Sequence, residues 1–202
     1  MAGLYAVAIE GLDSLKRYEE LPAKIERAAS RAINAASDRA RAAAARAIRL
    51  QVNLPASYLT GDDSRLRVVK RASAGDLEAI VRGRQRPTSL ARFVTSGSVG
   101  SRNGVTVEVK SGSARFMRRA FLIRLRAGTA DLDTKSNLGL AIRLKAGESL
   151  TNKRAAIRMN NGLYLLYGPS VDQVFRSVRD DITPDIADYL EREFGRLLDL
   201  DS

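Results

Sequence analysis

One long stretch without a helix breaker constrains this sequence more than any other feature. Pro22 is compatible with the first turn of a helix, and neither glycine nor a second proline follows before about Gln51. Alanine and arginine, both good helix formers, dominate the stretch. At ~1.5 Å per residue, about thirty residues make a rod of roughly 45 Å. We predict a helical N-terminal element over residues 12–52, which opens with a short helix over 14–20 that Asp13 caps.

The predicted rod has an apolar face and a cationic face. The apolar stripe, at three- and four-residue spacing, consists of Leu21, Ile25, Ala29, Ala32, Ala36, Ala40, Ala43 and Ala47. The opposite side carries Lys24, Arg27, Arg31, Arg41, Arg46 and Arg49. Because an alanine stripe lets another backbone come close, it needs a neighbouring surface, either the chain's own sheet or another subunit. The cationic face can meet nucleic acid, an acidic partner or water.

After Pro55 the spacing of apolar residues changes from that of a helix to that of strands. The predicted strands cover residues 66–72, 77–82, 105–110, 120–125, 138–144 and 163–167. A turn is predicted over 73–76, and flexible stretches are predicted over 84–102 and 128–137. Because no long helix separates these strands, the pattern favours an antiparallel sheet.

The end of the chain returns to a helical pattern. Residues 180–200 predict a helix with Thr183 as its N-cap and Pro184 as its first residue. Just before it, four apolar residues can pack as one turn of helix; they are Val171, Val174, Phe175 and Val178. The fold class predicted is α+β, with a long N-terminal helix, an antiparallel meander and a C-terminal helix. We expect one domain over residues 1–202, with its sheet core at 65–167 and its C-terminal helical region at 170–200.

The chain contains no histidine and no cysteine. The common nucleophile–base pairs need Ser/His or Cys/His, and zinc sites need His or Cys, so we predict a protein that is not an enzyme and has no cofactor. Residues 65–158 hold 21 Lys/Arg against 6 Asp/Glu, whereas residues 179–202 hold 3 Arg and 8 Asp/Glu. A basic middle and an acidic end suit self-assembly, in which one subunit's end meets the next subunit's middle. Ordinary solvated surface is the alternative.

Two basic clusters form the candidate partner-binding surface. In the segment 115–121, three arginines interleave with Phe116 and Phe121, a combination that can stack on bases and pair with phosphates. Core aromatics beside surface cations are the alternative. The cluster that ends at Pro87 can contact a partner or discourage stray pairing at a strand edge. The candidate surface comprises Arg82, Arg84, Arg86, Arg115, Arg118 and Arg119, with Lys24, Arg27 and Arg31 as a second set.

A glycine-rich segment and two acidic pairs are interpreted as turns. Residues 97–104 lack the Gly-Lys-Ser/Thr ending of a phosphate loop, and Asn103-Gly104 directly before a predicted strand is a turn signature. The acidic pairs at 62–63 and 131–133 lack a calcium-loop pattern, so turn-favouring acids are the better account.

Several segments together resemble one family of proteins. They lie at residues 54–59, 76–80, 86–93 and 167–175, and the last begins Tyr167-Gly168-Pro169-Ser170. They resemble the minor tail protein Z family of tailed bacteriophages, also called tail completion proteins. The opening at 11–15, which leads through Pro22 into the long helix, is similar to that of phage head–tail connector and neck proteins.

The resemblance implies a structural virion protein at the head-proximal end of the tail. Such a protein is assembled in the host cytoplasm, completes the tail and joins it to the filled head. It implies a ring homo-oligomer, with six-fold symmetry as the natural expectation, and other tail or neck proteins as partners: the tail terminator, the tail tube or the head connector. Genomic DNA passing through the ring would be contacted without base specificity. No membrane contact is expected, because no apolar run approaches the ~18–20 residues that span a bilayer.

Two other functions compete with this interpretation. The first is a stand-alone basic nucleic-acid-binding protein, which predicts tight, strongly salt-dependent DNA binding by the monomer. The second is an enzyme that uses carboxylates alone, such as a nuclease or hydrolase. It would need three or more Asp/Glu side chains brought together, and the basic middle of the chain holds few.

Overall fold

The chain divides into two compact units, each of which is described by itself. The computed structural model describes residues 23–61, 64–101, 103–125, 138–145, 147–150 and 155–200. The helical unit comprises the described residues of Met1–Ile48, Pro55–Arg84 and Asp172–Ser202, and the sheet unit those of Arg49–Leu54 and Gln85–Val171. The fold is α+β, as predicted. Its N-terminal helix is long, its sheets are antiparallel, and a helix ends the chain. That residues 1–202 form a single domain stays a prediction.

The first helix, α1, spans Ala23–Gln51 and confirms the long rod over its described length. Asp13, Pro22 and the predicted short helix over 14–20 lie outside the described residues. Most of the alanine stripe is buried within this chain, from Ala29 to Ala40. Beyond that point the buried face continues through Ala44, Ala45 and Ile48, whereas the predicted positions 43 and 47 are only half-buried. The buried stripe therefore continues from Ala40 to Ala44, four residues further on, whereas the prediction continued it to Ala43.

A hairpin follows α1 in the helical unit, after the short helix α2 (Ala56–Thr60). Strand β1 (Leu66–Lys70) pairs antiparallel with β2 (Ile80–Gly83). The predicted turn is confirmed, since Ser73 and Asp76 exchange backbone hydrogen bonds of 2.9 and 3.1 Å. The second strand begins three residues later than predicted, and the register of the pair shifts between Val68 and Lys70.

Two side chains of α1, one turn apart, hold the end of this hairpin. The Asn34 amide donates to the Ala72 carbonyl and accepts from the Ala72 amide, both at 2.9 Å. Asp38 forms a bidentate ion pair with Arg71, at 2.9 and 3.0 Å. Ala72 is buried, whereas the Arg71 and Asp38 side chains are about half-exposed. Two neighbouring residues of the hairpin are thus held in different ways. The Asn34 amide binds the backbone of buried Ala72, and an exposed ion pair joins Asp38 to Arg71.

The last helix, α3, runs from Val171 to Leu200 with Pro184 inside it. The prediction of a helix that starts at Pro184 was wrong. Thr183 is not an N-cap, since its hydroxyl donates back to the Arg179 carbonyl at 2.9 Å within the helix. A proline in a helix interior costs about 3 kcal/mol. Buried apolar residues recur on both sides of it, and their burial offsets this cost; they are Val171, Val174, Phe175, Val178, Ile186, Leu190 and Leu197.

The sheet unit contains two antiparallel sheets where one meander was predicted. The first comprises β3 (Thr88–Ser89), β7 (Ala120–Arg124), β8 (Leu138–Arg143), β9 (Ala156–Arg158) and β10 (Leu163–Gly168). The second comprises β4 (Val94–Ser96), β5 (Val105–Val107) and β6 (Arg115–Met117). The first sheet is ordered β3-β10-β8-β7, and β9 also pairs with β10. The last strand in the chain therefore lies inside the sheet, which a sequential meander does not allow.

Two local predictions in the sheet unit were wrong. The stretch 84–102 is not one flexible loop, because β3, a 3-10 helix over Leu90–Phe93 and β4 lie within it and Phe93 is buried. The strand predicted over 105–110 ends at Val107. The Glu108 amide donates to the Phe93 carbonyl at 2.8 Å, and the Glu108 carboxylate accepts from the Gly112 amide at 2.7 Å. These bonds turn the chain out of the ladder.

Two segments that carry the resemblance are neighbours in the sheet unit. Tyr167 pairs with Ser89 and Gly168 pairs with Thr88, so strand β10 joins the segment 86–93. A Cβ at Gly168 would lie 3.2 Å from the Phe93 ring and 3.3 Å from Leu90. Glycine at this position therefore allows the 3-10 helix to pack closely against β10.

Candidate basic surface

The predicted basic residues are distributed over both units. Arg82 and Arg84 lie at the end of the hairpin in the helical unit, and Arg86 lies in the sheet unit. Arg84 is half-buried and donates to the Tyr58 hydroxyl at 3.3 Å, so it is part of the packing of its unit. Arg86 is also half-buried, whereas Arg82 is exposed. The three arginines that looked like one exposed cluster therefore differ in environment.

Arg82 has a basic neighbour that the sequence analysis missed. In the register of the hairpin Arg67 lies directly opposite Arg82, and both are exposed. Like charges in directly opposed positions of an antiparallel pair repel each other. Only the strand register brings these two residues together, because they are fifteen positions apart in the chain.

The second predicted set lies on α1. Arg27 and Arg31 are exposed, and Lys24 is half-buried. The pKa of Glu193 on α3 is lowered mainly by its hydrogen bonds from Arg196, and the charge of Arg31 contributes. The guanidinium of Arg39 lies 4.7 Å from the centre of the Tyr189 ring of α3. The cations of α1 thus lie partly against α3 and partly in solvent.

Strand β6 and the turn that joins it to β7 carry the accessible part of the predicted surface in the sheet unit. Arg115, Arg118 and Arg119 are all exposed. The two phenylalanines of this segment differ: Phe121 is half-buried against the sheet core, whereas the Phe116 side chain is 59% exposed. The core interpretation is therefore confirmed for Phe121, and Phe116 is an aromatic side chain in solvent between arginines.

Arg119 already has an anionic partner within the chain. Its guanidinium bonds both Glu148 carboxylate oxygens, at 3.0 and 2.7 Å, and also donates to the Arg143 carbonyl at 2.9 Å. The hydrogen bonds from Arg119 and from the Lys145 amide lower the pKa of Glu148 to about 2. Arg119 therefore links the β6–β7 turn to the end of β8 and is committed to that link.

A cleft of about 660 Å³ opens beside strand β7. Three arginines line it, Arg118, Arg119 and Arg143, together with the loop residues Gly100 and Ser101. The Gly100 amide donates to the Leu122 carbonyl at 3.2 Å, which holds this loop against the outer edge of β7. None of the described residues that line the cleft carries a carboxylate. Arg143 was not predicted, because only the pairing of β8 with β7 brings it to the cleft.

The glycine-rich segment behaves as a turn in its described residues. Gly97, Gly100 and Gly104 all have positive φ, and β5 begins at the residue after Gly104. A Cβ at Gly104 would lie 2.7 Å from the tip of the Phe116 ring and 2.9 Å from both the Met117 carbonyl oxygen and the Arg118 Cα. This glycine therefore lets the glycine-rich turn lie directly against residues 116–118, where β6 ends. Asp62, Asp63, Asp131 and Asp133 lie outside the described residues.

Two other classes of site are absent from the described residues. Within that part of the chain, no group of three or more His, Cys, Asp or Glu residues could hold a metal ion. None of its helices is both long and apolar enough to cross a membrane. Comparison with protein-family models, curated proteins and solved structures gave no significant match.

Proposed function

We propose that this chain is a structural subunit of a tailed-bacteriophage virion. It acts as a tail completion or neck component at the head-proximal end of the tail, and it assembles as a ring during tail maturation and head–tail joining. The resemblance carried by segments such as Tyr167-Gly168-Pro169-Ser170 supports this role. The separation of exposed charge on the helical unit is the structural observation that supports ring formation.

The exposed side of α3 carries an acidic stripe. Asp181, Asp185 and Asp188 are all exposed, and spacings of four and three residues place them on one face of the helix. None of these three forms an ion pair with another described residue. Like charges at this spacing repel each other within a single helix. A cationic surface on a neighbouring molecule would remove this repulsion.

The same unit offers such a cationic surface on α1. Arg27 and Arg31 are exposed near the start of α1, and Arg46 is exposed nearer its end; all three belong to the helical unit. One acidic patch and one different, basic patch on every subunit make a heterologous contact, which closes into a ring when the rotation between neighbours permits. Charge complementarity of this kind sets orientation and register.

In this proposal the ring has the symmetry of the tail tube, and six subunits are the expected number. Its partners are a tail terminator, the tail tube or a head connector, and it reaches the virion neck after assembly in the host cytoplasm. The protein acts through shape, symmetry and charge, without catalysis or a cofactor. Any contact with DNA in the channel is to phosphates and is independent of sequence.

A charge-swap experiment tests the helix-to-helix contact. Subunits carrying Asp185→Lys with Asp188→Lys, or Arg27→Glu with Arg31→Glu, should each stay monomeric in light scattering, because each presents like charges to its neighbour. An equimolar mixture should recover the closed assembly, because each altered patch then meets its complement. Circular dichroism of each variant establishes folding. Wild-type assembly by both variants alone would contradict the proposed contact.

A stand-alone nucleic-acid-binding protein is the second candidate, and the exposed Phe116 between arginines favours it. Light scattering of the wild-type protein over a salt series, with and without duplex DNA, separates the two functions. A discrete closed mass, or a monomer that assembles only on tail ends and ignores DNA, supports the tail role. A monomer that binds DNA tightly at low salt and releases it steeply as salt rises supports the second candidate.

A further inference from the structure

We propose that strand β6, the turn that joins it to β7 and the cleft beside β7 bind single-stranded nucleic acid. In this site Phe116 stacks on a base, and Arg118 and Arg143 contact phosphates. The site lies in the sheet unit and involves neither α1 nor α3, so it goes beyond the ring contact proposed above. It also differs from passive contact with duplex DNA, because a base must be accessible to the phenylalanine ring.

Phe116 provides the stacking surface. It lies on β6, which among the described strands pairs with β5 alone. The ring is exposed, yet its tip lies against the backbone of Gly104, where no side chain intervenes. It is therefore supported on one side and open to solvent on the other. Aromatic side chains presented in this way bind successive bases in proteins that contact single strands.

The cleft provides the phosphate contacts next to this ring. A Cβ at Gly104 would lie 2.7 Å from the Phe116 ring tip and 2.9 Å from the Arg118 Cα, so the ring lies close to the backbone of Arg118, a residue that lines the cleft. No described carboxylate pairs with Arg118 or Arg143, whereas Arg119 is held by Glu148. The two uncommitted guanidinium groups are thus the ones suited to bind a phosphate oxygen.

The composition of the site favours a nucleic acid over an acidic protein segment. A cleft of about 660 Å³ falls within the usual ~300–1,000 Å³ of ligand sites, and its described lining includes three arginines and no carboxylate. An acidic peptide would satisfy the arginines but would leave the exposed ring without a planar partner. In duplex DNA the bases are already stacked on each other, which leaves phosphate contacts only.

Fluorescence anisotropy with a labelled oligodeoxythymidylate tests the site. Phe116→Ala should weaken binding roughly fivefold to a hundredfold, the usual range for loss of one base-stacking contact, and Phe116→Trp should keep it. Arg118→Gln and Arg143→Gln should each weaken binding and reduce the salt slope by about 0.7. Ile157→Ala is the matched control, since it removes another exposed apolar side chain, 56% exposed, from the same unit.

Two competitors, a duplex DNA ligand and the assembled mass complete the test. Inorganic polyphosphate should compete equally well with wild type and Phe116→Ala, because it has no base. Equal binding of oligodeoxythymidylate by Phe116→Ala and wild type, equal sensitivity to Phe116→Ala with duplex DNA, or stronger competition by polyglutamate would each overturn the proposal. Light scattering of the same variants measures ring assembly independently of nucleic-acid binding. If Phe116→Ala abolishes the assembly and leaves oligonucleotide binding intact, Phe116 is a subunit contact instead.

Discussion

Replacement of Asn34 by alanine should destabilise the helical unit far more than removal of the ion pair one turn away. Asn34 exchanges two hydrogen bonds of 2.9 Å with the backbone of Ala72. Asp38 holds the adjacent Arg71 through two bonds of similar length. A count of hydrogen bonds alone would rank the two substitutions as equal.

The burial of the groups that lose their partner determines which substitution costs more stability. Ala72 is only 8% exposed, so loss of the Asn34 amide leaves a buried N–H and a buried C=O without their partner. An unsatisfied buried polar group costs about 1–3 kcal/mol, so the two together should cost about 2–6 kcal/mol. The Arg71 and Asp38 side chains are 55% and 49% exposed, and exposed ion pairs contribute about 0–1 kcal/mol. Asn34→Ala should therefore cost at least about 1 kcal/mol more than Asp38→Ala.

Urea denaturation of both variants, at equal m-value, measures this difference. Asn53→Ala is the control for the same chemical change at an exposed position. Hydrogen exchange gives a local readout, since Asn34→Ala should remove the protection of the Ala72 amide. Asn34→Asp should retain it, because a carboxylate still accepts from that amide. If Asp38→Ala costs as much as Asn34→Ala, or Ala72 stays protected in Asn34→Ala, the reasoning from burial is refuted.

The remaining predictions concern the sheet unit. The folded pKa of Glu148, about 2, lies below its usual 4.5, because Arg119 stabilises the charged form. Its contribution to stability is therefore complete above pH 4.5 and is lost as the pH falls toward 2, and Glu148→Gln should remove this part of the pH dependence of thermal melting. Gly104→Ala should destabilise more than Gly112→Ala in chemical denaturation. Both glycines have positive φ, but only at Gly104 would a Cβ lie 2.9 Å from the Met117 carbonyl oxygen, whereas nothing lies within 4 Å at Gly112.

Each of these two predictions can fail clearly. A melting-temperature difference between wild type and Glu148→Gln that does not change with pH would show that the ion pair with Arg119 does not stabilise the fold. Equal losses of stability in Gly104→Ala and Gly112→Ala would show that positive φ alone sets the cost. The close contact with residues 116–118 would then be unimportant for stability.

The sequence predicted that the chain has a basic surface. It predicted only some of the residues that form the candidate site. The arginines of the segment 115–121 were found from their spacing around two phenylalanines. The sequence pattern could not say which ring is buried, because that depends on which distant side chains pack against each one. Phe121 packs on the sheet core, whereas Phe116 lies on a strand with a partner on one side only. The sequence did not predict Arg143, because only the pairing of β8 with β7 brings this residue to the cleft.

The sequence by itself determined the elements whose causes are local. The long helix α1 follows from some thirty residues without a breaker, and the turn at 73–76 follows from its short polar segment. Antiparallel pairing follows from strands without intervening helices.

Only the tertiary structure decided the features that depend on distant residues. The preference of proline for the first turn of a helix predicts a helix start at Pro184. Burial of apolar residues on both sides of Pro184 instead stabilises α3 as one continuous helix. The central position of β10, the opposition of Arg67 and Arg82, and the exposure of Phe116 all depend on which strands become neighbours. Propensity acts over a few residues, whereas burial and pairing are set by contacts across the whole chain, and here those contacts determine which basic and aromatic side chains face solvent.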